Sequence, residues 1–70
     1  MDYNEQLRNN YFKMLNDKQR RIAELSLESK VRLLDRLIYE GIFTIVGRED
    51  YFIILHNLED HSDKIPIGYY

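Results

Sequence analysis

The sequence contains no cysteine and no tryptophan, only one proline (Pro66), and three glycines, at positions 41, 47 and 68. Without cysteine there can be no disulfide, no thiolate metal site and no cysteine nucleophile. A reducing, cytoplasmic setting is therefore expected. Long apolar runs are also missing. The longest, Ile42 to Val46 and Tyr51 to Leu55, have five residues each, whereas a membrane-spanning helix needs about 20. The polar, acidic start from Met1 to Gln6 is unlike a secretory signal peptide, so no membrane association is expected. No glycine-rich phosphate loop and no Ser/His/Asp spacing occurs, so neither an enzyme nor a cofactor is expected.

What remains has a globular composition. Hydrophobic residues make up 44% of the chain and aromatics 13%, too much for a disordered segment. Seventy residues point to one small domain with a modest core. Chains of this size are commonly reinforced by disulfides, a metal or self-association. With disulfides excluded, a twofold homodimer is the expected reinforcement.

Charge is unevenly distributed. Residues 8–36 carry eight basic side chains (Arg8, Lys13, Lys18, Arg20, Arg21, Lys30, Arg32, Arg36) and four acidic ones, for a charge of +4. Residues 37–70 carry two basic and six acidic side chains, for −4. A basic middle beside an acidic end has two readings: a polyanion-binding face, or solvated helices that simply carry charge.

Between Tyr3 and Glu40 there is neither glycine nor proline, and good helix formers dominate. At about 100° per residue, Tyr3, Leu7, Tyr11, Met14, Leu15, Ile22 and Leu25 share one stripe. Leu27, Val31, Leu34 and Ile38 share another, roughly opposite. A turn near Ser26, with its hydroxyl as N-cap, lets both stripes face one core. Asn16-Asp17 can end one helix and cap the next, and Gly41 sits where a left-handed C-terminal cap is needed.

Beyond Gly41 the composition shifts to β-branched and aromatic residues. Ile42 to Val46 and Tyr51 to Leu55 flank Gly47-Arg48-Glu49-Asp50, which reads as a β-hairpin over 42–55 with a four-residue tip. Ile45 and Ile53 are then core positions. Both strand faces are apolar, so the second face needs a cover. Residues 56–64 read as a polar loop, and 65–70 as a tail in which Pro66 permits only an edge strand. The expected fold is α+β: two or three N-terminal helices over 3–40, followed by the C-terminal hairpin.

The segment Ser29 to Ile42, ending Leu37-Ile38-Tyr39-Glu40-Gly41-Ile42 ahead of the apolar runs, resembles the recognition helix of winged helix-turn-helix DNA-binding domains. The likeness spans 22–55 and makes the hairpin the wing. It implies that Ser29, Lys30, Arg32 and Arg36 project from the helix toward a DNA groove, supported by Arg20, Arg21 and Arg48. The function expected on this reading is a small regulator that binds DNA.

A second reading is a protein-binding module: an inhibitor, adaptor or dimerising subunit. It draws on the apolar hairpin and the aromatic ends, with Tyr3, Tyr11, Phe43, Phe52, Tyr69 and Tyr70 as interface residues. His56 and His61 lie near Glu59, Asp60 and Asp63, but their spacing matches no metal motif. The segment reads as a solvated loop, and no metal is expected.

Overall fold

A computed structural model describes residues 3–70. Every regular element among them is helical. They are α1 (Tyr3–Met14), α2 (Asp17–Ala23), α3 (Leu27–Tyr39), α4 (Arg48–His56) and two 3-10 segments, Leu58–Lys64 and Ile67–Tyr69.

The helix breaks follow local capping chemistry. Asn16 accepts from the Gln19 amide through Oδ1 at 2.8 Å, while Gln19 Oε1 accepts from the Asn16 amide at 2.9 Å. This reciprocal capping box starts α2. Ser26 starts α3 by accepting from the Ser29 amide at 3.2 Å. Gly41, at φ +77, ends α3. Its amide donates to Ile38 at 3.0 Å, and the Ile42 amide donates to Leu37 at 2.9 Å. These two bonds form a Schellman closure, which requires the left-handed conformation that glycine adopts without penalty.

The expected β-hairpin over 42–55 is absent, and with it the wing and the α+β class: no strand occurs among the described residues. Residues 48–56 instead form α4. Gly47 occupies its N-cap, and Glu49 and Asp50 lie in its first turn, where acidic side chains complement the helix dipole. Asp50 Oδ2 also accepts from the Val46 amide at 3.2 Å. The residues read as a hairpin tip are thus a helix start. Burial follows the helical period: Leu55 is buried, Tyr51 and Ile54 are half-buried, and Phe52 and Ile53 are exposed. A strand would have put Ile53 and Leu55 on one face. Ile45 is only half-buried, and Val46 is 92% exposed.

The core joins Ile22 of α2, Leu33, Leu34 and Leu37 of α3, Phe43 of the connection, Leu55 of α4, and Leu58 and Ile65 around the longer 3-10 segment. The buried face of α3 is wider than the expected stripe. Leu34 is buried and Val31 and Ile38 pack against the core as expected, Leu33 and Leu37 join them, and only Leu27, at the first turn, is 62% exposed. Tyr51 of α4 ties to it by donating to Asp35 Oδ1 at 2.8 Å.

The expected polar loop is likewise ordered. Leu58–Lys64 packs against α2 and buries Leu58, Glu59 and Ser62. His61 meets the Phe43 ring edge-on at 5.6 Å between centroids. The expected edge strand at the tail is the short 3-10 turn Ile67–Tyr69.

α1 stands apart, since none of its residues is buried. Arg20 holds its C-terminal end, donating from Nε to the Phe12 carbonyl at 3.1 Å and from Nη2 to the Lys13 carbonyl at 3.4 Å. Tyr11 adds a second tie by donating to Glu59 Oε1 at 2.8 Å. None of the described helices is long and apolar enough to cross a membrane.

Candidate nucleic-acid interface

Ser29, Arg32, Leu33 and Arg36 sit at i, i+3, i+4 and i+7 of α3, so they share one helical face. The C-terminal turn stands beside this face. Tyr69 and Tyr70 close a recess of about 310 Å³ together with those four residues and Leu25. That volume is near the lower end of small-molecule sites, roughly 300 Å³. A second recess of about 210 Å³ is lined by Asp17, Lys18 and Arg21 of α2, Ile67 and Tyr70. Tyr70 borders both.

A small network fixes the far side of the first recess. The Arg36 guanidinium carbon lies 4.1 Å above the centroid of the Tyr69 ring, a cation–π arrangement. Arg36 Nε is 3.5 Å from Glu40 Oε1, and the Tyr69 hydroxyl donates to the other oxygen of the same carboxylate. This donation to Glu40 pushes the Tyr69 phenol above its ordinary value. Burial and the Glu40 charge push the same way, and Arg36 opposes them. Arg32 is exposed and has no hydrogen-bond or ion-pair partner among the described residues. Four basic side chains (Lys18, Arg21, Arg32, Arg36) therefore surround Tyr70, against two acidic ones, Asp17 and Glu40. The local balance is positive on a chain whose net charge is −2.

The residues expected to meet nucleic acid are thus divided. Ser29, Arg32 and Arg36 come together in the first recess, Arg21 lines the second, and Lys30 is half-buried on α3. Arg20 is occupied in capping α1. Arg48 begins α4 outside both recesses.

The aromatic set divides as well. Tyr69 and Tyr70 belong to the recesses. Tyr3 and Tyr11 are exposed on α1, and Phe52 is exposed on α4. Phe43 is a core residue at 8% exposure, which removes it from any surface.

Lys18 was legible only as one charge of the basic 8–36 segment, although its i,i+3 spacing to Arg21 places both on one side of α2. The i,i+4 spacing of Arg36 and Glu40 marks their ion pair in the sequence, whereas nothing local pointed to Tyr69 joining it. No group of three or more His, Asp or Glu side chains among the described residues is arranged to hold a metal ion.

No protein-family model matches the chain, and none of the curated proteins or solved structures compared with it does either.

Proposed function

We propose that the chain is a small, non-enzymatic, cytoplasmic regulatory protein that binds nucleic acid through the basic face shared by α2 and α3. One observation carries this reading: four cationic side chains from two helices converge on two adjoining recesses that share an aromatic residue. Phosphates supply the complementary charge, and binding them releases condensed counterions. The test is fluorescence anisotropy with labelled oligonucleotides across a salt series. Affinity should fall as salt rises. Replacing Arg32 and Arg36 together by alanine should weaken binding and flatten the slope by about 1.4 to 1.8 logarithmic units, two contacts' worth. Melting should fall only modestly, because Arg32 is exposed and the Arg36 contacts with Tyr69 and Glu40 are half-exposed. Absence of salt-dependent affinity for duplex DNA, single strands and RNA would remove the proposal.

A second reading, protein binding, is favoured by α1. Tyr3, Leu7, Tyr11 and Met14 form a stripe on this helix, and all four are exposed, by 43% to 84%. An apolar stripe left largely exposed on its own chain is the pattern of a helix that docks on another protein surface.

A further inference from the structure

We propose that Tyr70 is a stacking platform for an unpaired nucleobase, so that the ligand of the basic face is single-stranded nucleic acid rather than a duplex. This inference rests on the nucleic-acid reading above and narrows it.

A recognition helix must lay its outward face into a major groove about 12 Å wide. Here Tyr69 and Tyr70 stand beside that face and line one recess with Ser29, Arg32 and Arg36. Arg36 is further held between the Tyr69 ring and Glu40. With Tyr69 and Tyr70 bordering its face and one of its two arginines engaged by Tyr69 and Glu40, α3 is poorly placed to lie flat in a groove. A flexible strand has no such restriction, because its nucleotides enter recesses one at a time.

In a duplex the faces of the bases are stacked against one another, and only edges and phosphates are offered. A single strand offers base faces as well, and proteins bind them with aromatic rings beside a positively charged track. Tyr70 has that setting. It borders both recesses, with Arg32 and Arg36 on one side and Lys18 and Arg21 on the other. Its neighbour Tyr69 is tied by its hydroxyl to Glu40 and covered by Arg36. Tyr70 is half-buried, with part of its side chain against the core, and its ring has no hydrogen-bond, ring or cation–π partner among the described residues. A base on Tyr70 would leave its flanking phosphates between the two cation pairs. Leu25, Leu33 and Ile67 provide apolar walls for the sugar and base edges.

The lack of tryptophan allows a direct test. Tyr70→Trp places a single indole in the platform. Its fluorescence is followed while unlabelled oligothymidylate, the matching oligouridylate and a mixed-sequence DNA duplex are each titrated in. The strands should be about eight nucleotides long, within the usual site size of one small fold. In parallel, anisotropy compares the unmodified protein with Tyr70→Ala and Tyr70→Phe, and melting confirms that each variant folds.

Single strands should bind at least roughly tenfold tighter than duplex and quench the indole. Tyr70→Ala should lose between about five- and a hundredfold in affinity with an unchanged salt slope, while Tyr70→Phe retains binding. Comparison of the two single strands reports whether the sugar matters. Duplex binding that equals or exceeds single-strand binding, or binding without quenching and without loss in Tyr70→Ala, overturns the platform and leaves the nucleic-acid reading intact. No salt-dependent binding to any of the three overturns both.

Discussion

Two arginines of one basic segment have different roles, and the difference lies in what stands beside each. Arg20 lies within reach of the carbonyls that end α1, and those carbonyls lack intrahelical donors. It donates to Lys13 and, beside the Leu15 amide, to Phe12, and is withdrawn from any binding face. Arg32 has no such neighbour and stays available. Tyr11 offers a comparable case with a measurable consequence. It donates to Glu59 Oε1 at 2.8 Å, and the Glu59 carboxylate is buried, with Oε2 left without a partner. That hydrogen bond, then burial, then the charges of Glu59 and Asp60 push the Tyr11 phenol up from 10.0 to about 12. The folded state thus favours the protonated phenol. Its contribution to stability is complete below pH 10 and is lost as pH rises from 10 to about 12. In an alkaline titration followed by phenolate absorbance, one tyrosine of the wild type should lag to near pH 12, and Tyr11→Phe should remove that step. If the phenol lost in Tyr11→Phe titrates near pH 10, the Tyr11–Glu59 bond does not persist in solution.

At the scale of elements, the deciding segment is 42–56. Its two apolar runs are five residues each, too short to establish a period of 2 or of 3.6, and their β-branched content favours strands. Tertiary contact overrode that preference: Tyr51, Ile54 and Leu55 fit the i, i+3, i+4 pattern against the core. The local signal that argued for a helix was Gly47 followed by Glu49 and Asp50, an N-cap with acidic residues in the first turn, and it also reads as a turn. The caps at Asn16, Ser26 and Gly41 were legible because each is a matter of a few adjacent residues. Half of the candidate site was legible for the same reason, since Ser29, Arg32 and Arg36 follow helical spacing. Their meeting with Tyr69 and Tyr70 depends on a chain return of more than thirty residues, which no local pattern encodes. The change of element has a test in a pair of substitutions. Ile53→Asp should cost about 1 kcal/mol or less, because Ile53 is 56% exposed and aspartate is merely a weak helix former. Leu55→Asp should abolish cooperative unfolding, since Leu55 is 3% exposed and an unpaired charge would enter the core. Thermal melts of the two variants separate the structures, because a hairpin puts both positions on one face and makes both substitutions equally damaging.

For the whole molecule, the question is what the chain does with apolar surface that it cannot bury. Nine apolar side chains are buried among the described residues, and none of them comes from α1. A 12-residue helix is at or below the length that is stable alone in water, about 12 to 15 residues, so most helices of this size persist by packing an apolar face. The ties through Arg20, Tyr11 and the buried Leu15 hold one end of α1 and leave Tyr3, Leu7 and Met14 in solvent. A second copy of the chain brings an identical stripe, and a twofold axis pairs the two without leaving a free end. The chain is therefore expected to form a dimer through α1 at high micromolar concentration. Sedimentation equilibrium should report about twice the mass of the 8.5 kDa chain. Leu7→Glu with Met14→Glu should return it to monomer while leaving the core and the Tyr11–Glu59 bond in place. Salt separates this association from nucleic-acid binding. Contact between apolar stripes should hold as salt rises, whereas phosphate binding weakens steeply over the same range. A wild type that sediments as a clean monomer at high micromolar concentration would rule out the dimer and leave the stripe of α1 to a different protein.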